Sequence, residues 1–315
     1  MFSDPLFIFS IIGMSACLAI WMKGIIKKED QSSFILVNIS SIATVFGLLM
    51  LVSIFINAGD LGIILLIASV IAFIVMLIGY LLKSNEILVS SRGYFIPIFL
   101  IFVLRTFLYE PYQIPSGSMM PGLKVGDFLL VNKSSYGTKV NRIGDPFAFN
   151  NDPKYGDVVV FIPPHNPVPY VKRLIGMPGD KVRIINKQVF INSVAIKRDF
   201  YKTEEATITK RYRDSSGQIT IREKEVIIDL FYEEHGETKY VIRNIRGENS
   251  QYPSEWEIPP GHYFVMGDNR DNSNDSTKDV GFVPRENFFG KADYLFMTWE
   301  CWTCLPSFSR TGKIK

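Results

Sequence analysis

The chain has 315 residues, of which 47% are hydrophobic and 21% charged, and its formal net charge is +3. This weak charge, with no stripe of Lys and Arg interleaved with aromatic residues, argues against a nucleic-acid partner. A mean hydropathy of +0.15 is too apolar for an ordinary soluble domain. Because the excess lies in the N-terminal third, we predict a membrane anchor followed by a globular part.

Three stretches without a charged residue predict transmembrane helices: Leu6 to Met22, Phe34 to Ala58, and Leu61 to Leu82. At about 1.5 Å per residue, each crosses or nearly crosses a hydrocarbon core of roughly 30 Å. A fourth stretch, Tyr94 to Leu108, is shorter, but Arg105 near its end can reach the headgroups and extend the span. We therefore predict about four transmembrane helices in an anchor that spans residues 1–109.

Basic residues between these stretches predict the orientation of the chain. The first loop contains three lysines, the second contains no Lys or Arg, and the third contains Lys83 and Arg92. Because basic loops stay in the cytoplasm, the N-terminus and everything after Leu108 are predicted to lie outside it.

Residues 110–315 are predicted to form a mainly antiparallel β domain on the extracytoplasmic side. Short β-branched and aromatic runs, separated by Gly, Pro, Asn and Asp, predict strands, and no long helical period intervenes. Residues 186–260 are richer in charge and are predicted to be an inserted subdomain or a long hairpin. The predicted strands are Phe128 to Asn132, Asp157 to Ile162, Val168 to Ile175, Lys181 to Ile185, Gln188 to Ile191, Ile219 to Leu230, Lys239 to Ile245, His262 to Met266, and Lys291 to Trp299.

The cysteines and histidines give no sign of a metal site or a cofactor. Cys301 and Cys304 can close a small disulfide outside the cytoplasm, and the lack of a surrounding βαβ pattern favours a structural role over a redox role. The histidines, His165, His235 and His262, are scattered and show no ligand spacing with that pair. We expect neither a metal nor a cofactor.

The first candidate for chemistry is the segment from Glu110 to Pro121, which contains a Ser-Gly-Ser turn. Pro115, Gly117 and Pro121 favour a turn-rich backbone that can expose a hydroxyl group. Ser118 is the better nucleophile candidate. By itself, such a turn is more often only a loop.

The second candidate is Lys172, within the segment from Tyr170 to Asp180. In a strand, Lys172 and Arg173 lie on opposite faces, so that one of the two cations faces inward. Burial lowers the pKa of a lysine and makes its neutral amine available as a base, whereas arginine stays protonated. The alternative is an edge strand with both cations solvated.

The third candidate is the segment from Gly267 to Ser276, which follows a predicted strand. It concentrates short hydrogen-bonding side chains that can orient a base and hold nearby backbone. Such a loop could also bind Ca²⁺, but it lacks the ligand spacing and terminal Glu of a known calcium motif.

These segments, in this order and together with Tyr-Gly-Asp-Val-Val-Val-Phe at 155–161, resemble the bacterial type I signal peptidases, of the Ser-Lys protease class. The resemblance implies that Ser118 attacks the scissile carbonyl and that Lys172 takes its proton. It also implies an oxyanion hole made by the Ser118 N–H and the Ser116 hydroxyl, with Ser273 orienting Lys172 and Gly267 leaving room for the amine. The implied residues are Ser118, Lys172, Ser116 and Ser273 for catalysis, Ile114 and Val171 for substrate binding, and Gly267, Asp268 and Asp275 for structural support.

The function implied by the resemblance is removal of signal peptides from exported precursors after small residues at −3 and −1. The enzyme would be a multi-pass protein of the bacterial inner membrane, with its catalytic domain on the periplasmic side. Precursor proteins and the lipid bilayer would be its partners. Many members of the family have Arg where this chain has Thr277, which leaves the partner of Asp275 open.

Three other functions remain as alternatives. The chain could be a Ser-Lys protease dedicated to one partner, or a catalytically silent membrane-anchored domain that binds exported polypeptides. The joint presence of Ser118 and Lys172 argues against the silent domain. A Ser-His-Asp hydrolase would need a histidine near Ser118, and the sequences flanking the histidines give no sign of one.

Overall fold

The computed structural model describes residues 4–27, 34–56, 61–137, 139, 144, 146, 151–166, 168–213, 219–248, 255–301 and 303–315. The chain divides into two compact units, Met1–Thr106 and Phe107–Lys315.

The N-terminal unit is helical. Its described helices are α1 (Pro5–Ile26), α2 (Phe34–Ile56), α3 (Leu61–Leu81) and α4 (Asn85–Val103), and a π-helical turn, Leu104–Leu108, continues α4. In the described part of the chain, the segments Pro5–Ile26, Gly62–Leu81 and Asn85–Leu108 are long and apolar enough to cross a membrane, and Asn38–Ser53 in α2 is a shorter apolar helix. Many large apolar side chains on these helices are exposed, which suits a hydrocarbon environment.

Helix α4 begins at Asn85 and not at Tyr94, where the predicted stretch began. The Ser84 hydroxyl accepts a hydrogen bond from the Ile87 N–H at 3.5 Å, and Glu86 lies in the first turn, where a negative charge is favourable. The prediction was wrong at this boundary because it began after the charged residues Glu86 and Arg92, and both of these lie within the helix.

In the C-terminal unit, the described regular secondary structure is mainly β-strand. This architecture of apolar helices followed by a mainly antiparallel β domain confirms the predicted fold class. In the described residues the strands are β1 (Tyr109–Gln113), β2 (Asp127–Asn132), β3 (Val158–Phe161), β4 (Tyr170–Gly176), β5 (Lys181–Ile185), β6 (Gln188–Ile191), β7 (Val194–Ala195), β8 (Lys197–Arg213), β9 (Ile219–His235), β10 (Thr238–Ile245), β11 (Glu255–Glu257), β12 (His262–Met266), β13 (Val283–Pro284), β14 (Phe288–Thr298) and β15 (Gly312–Lys313).

The strands form three sheets among the described residues. The main sheet has the order β1-β2-β14-β3-β4-β12-β13, with β15 paired to β14, while β10-β9-β8 and β11-β5-β6-β7 form two smaller sheets. All of these strand pairs are antiparallel. Strand β4 lies between β3 and β12, in the interior of the main sheet.

Strand β4 is buried on both faces. Lys172 is 4% exposed and Arg173 is 2% exposed, so both cations are buried, and the alternative of an edge strand with solvated cations was wrong. The Lys172 amine lies against Ser118, while the Arg173 guanidinium lies 3.7 Å from the centre of the Tyr240 ring on β10. The two side chains thus have different partners, as alternation along a strand predicts. The three-stranded sheet β10-β9-β8, which we call the inserted sheet, supplies Tyr240 and covers the Arg173 side of the strand.

The described part of residues 186–260, the segment predicted to be an insertion, contains a long hairpin. Strands β8 and β9 have 17 residues each and pair from Lys197↔Glu234 to Arg213↔Ile219. Strand β10 pairs with β9 from Ile228 to His235, so among the described residues the outer part of the hairpin is a two-stranded ribbon.

Candidate active site

Ser118 lies in a short 3₁₀ turn, Gly117–Met119, that follows strand β1. The loop that carries this turn is closed at its base by backbone hydrogen bonds. The Gly126 N–H donates to the Ile114 carbonyl at 3.0 Å, and the Ile114 N–H donates to the Asp127 carbonyl at 2.8 Å. We call residues 114–127 the nucleophile loop. Its closed base fixes the position of Ser118 relative to the main sheet.

The side chain of Asp127 fastens the nucleophile loop to the C-terminal segment. Its carboxylate is fully buried and accepts hydrogen bonds from the Lys124 N–H at 2.7 Å and the Thr298 hydroxyl at 2.7 Å. The Arg310 guanidinium donates to both carboxylate oxygens, at 2.6 and 2.7 Å, and also to the Gly122 carbonyl at 2.7 Å. Sequence reasoning missed this contact because its partners are far apart in the chain.

The central feature of the site is the pair formed by Ser118 and Lys172. Lys172 Nζ lies 2.7 Å from Ser118 Oγ and 3.0 Å from the Val171 carbonyl oxygen. Burial lowers the pKa of Lys172 to about 8, against the opposing fields of Asp275 and Asp268, which raise it. A neutral amine at hydrogen-bond distance can remove the hydroxyl proton, which is the arrangement of an activated nucleophile.

The segment from Gly267 to Ser276, which we call the support loop, packs directly against the nucleophile. A Cβ atom at Gly267 would meet Ser273 Oγ and would lie 2.5 Å from the Ser118 carbonyl oxygen, so this approach requires glycine. The Asn269 N–H donates to the Ser118 carbonyl at 3.0 Å, and its side-chain amide donates to the Gly117 carbonyl at 2.8 Å. The support loop therefore holds Gly117 and Ser118 by their backbone carbonyl groups.

The structure supplies partners for Asp275. Its carboxylate accepts hydrogen bonds from the Gly267 N–H at 2.9 Å, from the Thr277 N–H at 3.1 Å and from the Thr277 hydroxyl at 2.7 Å. Thr277 thus donates two of the three hydrogen bonds that the Asp275 carboxylate accepts. Lys278 donates instead to the Ser273 carbonyl at 2.7 Å.

Asp268 forms a buried ion pair with Arg173. Two parallel hydrogen bonds of 2.7 Å join the guanidinium to the carboxylate, and both side chains are almost completely buried. Arg173 also donates to the Gly156 carbonyl at 2.7 Å. This pair links β4, directly beside Lys172, to the support loop.

The remaining predicted site residues lie close to the pair. Ser116 Oγ is 3.4 Å from Ser118 Oγ. Ser273 is 4% exposed, and among the described residues its hydroxyl oxygen has no hydrogen-bond partner. Ile114 and Val171 are buried in one apolar cluster with Met119. The structure thus gathers these residues around Ser118, although Ser273 makes no hydrogen bond to Lys172 in this arrangement.

His235 and His262 contact backbone carbonyl groups away from Ser118. His235 Nε2 lies 2.8 Å from the Ile175 carbonyl oxygen, and His262 Nδ1 lies 3.0 Å from the Pro260 carbonyl oxygen. Among the described residues, no group of three or more His, Cys, Asp or Glu side chains could hold a metal ion. Cys301 and Cys304 form a disulfide with a Cα–Cα distance of 5.2 Å.

Comparison with known proteins matches most of the chain to one family model. The model described as "Signal peptidase, peptidase S26" matches residues 88–299. A signal peptidase I from Pseudomonas fluorescens is 41% identical over 249 residues, which cover 74% of this chain and 82% of the relative. Signal peptidase I from Pseudomonas aeruginosa is 40% identical over 251 residues, 74% of this chain and 81% of the relative. That from Buchnera aphidicola of Schizaphis graminum is 37% identical over 235 residues, 67% of this chain and 75% of the relative.

Proposed function

We propose that this chain, which belongs to the signal peptidase family, peptidase S26, cleaves its substrates with a catalytic pair formed by Ser118 and Lys172. Membership of the family makes the chain a serine peptidase that removes signal peptides. The observation that carries the finer proposal is the distance of 2.7 Å between Ser118 Oγ and the buried Lys172 amine.

In the proposed mechanism, Lys172 acts first as a base and then as an acid. The neutral amine takes the Ser118 proton as Oγ attacks the scissile carbonyl carbon. The resulting ammonium donates that proton to the leaving amine, which leaves an acyl-enzyme. Lys172 then takes a proton from a water molecule that attacks the ester, and it returns this proton to Ser118 Oγ as the acyl bond breaks, which regenerates the free enzyme. Burial of the amine favours its neutral form at the start of each step.

The proposed oxyanion hole consists of the Ser118 N–H and the Ser116 hydroxyl. The proximity of Ser116 Oγ to Ser118 Oγ, 3.4 Å, supports this assignment. The hydrogen bonds from Asn269 to the carbonyls of Gly117 and Ser118 fix the peptide planes of the turn, so the donor is oriented before substrate arrives. A donor of this kind contributes roughly 10² to 10³ in rate.

Ser273 has the further proposed role of orienting the Lys172 side chain. Its buried hydroxyl, without a partner among the described residues, can accept a hydrogen bond from the ammonium that forms during catalysis. The lack of a side chain at Gly267 allows Ser273 and the Ser118 backbone to approach each other.

The proposed substrates are exported precursors with small residues at −1 and −3. Ile114 and Val171 belong to a closely packed apolar cluster, which suits shallow pockets for side chains such as that of alanine. The apolar helices support a location in the bacterial inner membrane, with the catalytic unit on the periplasmic side, as the distribution of basic residues predicts. Ser118 follows the last apolar segment, which ends at Leu108, closely in sequence.

The test is cleavage of an exported precursor with an Ala-x-Ala site by the detergent-solubilised full chain. Ser118→Ala and Lys172→Ala are expected to abolish cleavage after the second Ala while the protein stays folded. Ser116→Ala is expected to lower kcat by roughly 10²-fold. Ser309→Ala and Lys181→Ala, which alter exposed side chains, serve as matched controls and should cleave normally.

Each other outcome points to a specific alternative. If Ser118→Ala cleaves the precursor as fast as the wild type, Ser118 is not the nucleophile and a histidine mechanism must be considered again. Binding of the precursor without cleavage by the wild type would favour the silent binding domain. Cleavage of a single precursor out of a varied panel would favour a dedicated processing protease.

A further inference from the structure

Glu233 on β9 is a carboxylate that the inserted sheet buries completely. It forms a two-point ion pair with Arg270 of the support loop, in which Nη1 donates to Oε1 at 2.8 Å and Nη2 donates to Oε2. The Tyr240 hydroxyl donates to the same carboxylate at 3.2 Å. Burial of a charge is unfavourable unless the charge is paired, so these contacts hold Arg270 in one geometry.

Arg270 directly follows Asn269, whose two hydrogen bonds hold the carbonyls of Gly117 and Ser118. On the other side of Asn269, the Asp268 carbonyl accepts a hydrogen bond from the Arg243 N–H of β10 at 2.9 Å. The inserted sheet therefore holds both neighbours of Asn269. It holds Arg270 by the ion pair with Glu233 and Asp268 by the backbone hydrogen bond from Arg243.

Contacts from the same sheet also reach the neighbour of the proposed base. The Tyr240 ring lies against the guanidinium of Arg173, which pairs with Asp268 and is adjacent to Lys172 on β4. The buried groups Arg173, Asp268, Arg270 and Glu233 comprise two cations and two anions. Loss of the Glu233 charge alone would leave the Arg270 guanidinium buried without its partner.

We propose that Glu233 is a positioning residue for catalysis, which acts through Arg270 and Asn269 to hold the backbone of Ser118 in its reactive orientation. The inference rests on the proposed function, since it concerns the geometry of Ser118 relative to Lys172. A buried pair that served stability alone would leave turnover by the folded enzyme unchanged when it was altered. A positioning pair lowers kcat, because displacement of a nucleophile by about 1 Å can cost roughly 10²-fold.

The test compares Glu233→Gln with Asp229→Asn in the full-length enzyme. Glu233→Gln keeps the side-chain shape and removes the charge. Asp229→Asn disrupts a comparable Asp–Arg pair of the same sheet, with Arg246, that lies at the surface. We expect Glu233→Gln to lower kcat by about 10- to 100-fold with little change in KM, while Asp229→Asn keeps the wild-type kcat. Rates are measured well below the melting temperature of each variant.

A double variant shows whether Glu233 acts through Arg270. If it does, Glu233→Gln/Arg270→Gln loses no more of kcat than Arg270→Gln alone, because the two changes remove the same interaction. Glu233→Asp, which retains the charge, should recover part of the lost kcat. If Glu233→Gln fails to fold, the double variant, which removes both buried charges, takes its place with the same expected loss of kcat.

The proposal is overturned if folded Glu233→Gln has the kcat of the wild type. Where Glu233→Gln does not fold, a wild-type kcat in the double variant overturns it. Fully additive losses of kcat in the double variant would also overturn it. Both results leave the Ser118–Lys172 mechanism intact, since that mechanism fails only if Ser118→Ala or Lys172→Ala retains activity.

Discussion

The pKa of Lys172 is the residue-scale property on which the proposed chemistry depends. Burial lowers it to about 8, so the neutral fraction of the amine increases with pH across the physiological range. We expect kcat/KM to rise with pH and to level off above about 8. Measurement of kcat/KM on the precursor from acid to alkaline pH checks this, and a flat profile would contradict a lysine base.

The same shift predicts how the free energy of unfolding depends on pH. The folded chain releases the Lys172 proton near pH 8, whereas a lysine in the unfolded chain releases its proton at about pH 10.4. The free energy of unfolding of the wild type therefore increases as pH rises between these two values. Below this range, the buried ammonium costs about 3 kcal/mol. Lys172→Met should therefore be stabilised relative to the wild type at pH 7.

That stabilisation should shrink by about 3 kcal/mol as pH rises to above about 10. Denaturant unfolding of both proteins at several pH values measures the difference. A difference that stays constant over this range would show that burial does not shift the pKa of Lys172.

The sequence predicted the site residues whose side-chain chemistry is distinctive. Ser118 and Lys172 stand in motifs with recognisable types and order, and the structure brings them within hydrogen-bond distance. Asn269 and Glu233 are common polar residues whose importance depends on partners far away in the chain, and a single sequence contains no signal of such pairing. Asn269 could only have been suspected from its place in a loop rich in Asp and Asn.

At the scale of elements, the contact between Asp127 and Arg310 connects the nucleophile loop to the C-terminal segment. Arg310→Gln removes a charged partner from a buried carboxylate, which should lower the free energy of unfolding by about 2 kcal/mol. The matched control is Arg246→Gln, which disrupts a more exposed arginine–aspartate pair on the inserted sheet. Denaturant unfolding measures both, and an equal effect of the two changes would contradict a special role for the Asp127 contact.

Strands with regular apolar runs could be predicted from the sequence, and those with other compositions could not. The runs that predicted β3, β5, β6 and β12 match the observed strands closely. Strand β1 contains Glu and Pro, and β8 is rich in Lys, Glu and Thr, so neither shows the alternation expected of a half-buried strand. Both are stabilised by pairing with a neighbouring strand, which composition does not reveal.

At the scale of the whole molecule, the distribution of basic residues predicts that the β domain lies outside the cytoplasm. A protease added to spheroplasts should therefore degrade the unit Phe107–Lys315, and the same unit should be protected in inside-out vesicles. Detection by an antibody against the β domain measures this. Protection in spheroplasts would reverse the predicted orientation, and release of the protein by alkaline carbonate would exclude a transmembrane anchor.

The outer ribbon of the long hairpin has a practical consequence. In the part of the chain that the structure describes, strands β8 and β9 pair only with each other beyond the pair formed by Ile208 and Lys224. Glu233 and Tyr240 lie at the opposite end of the hairpin. Two-stranded ribbons contribute little stability of their own. The tip is therefore the place where an engineer can shorten the chain or insert a fluorescent reporter without disturbing turnover, while the base of the hairpin must be kept intact.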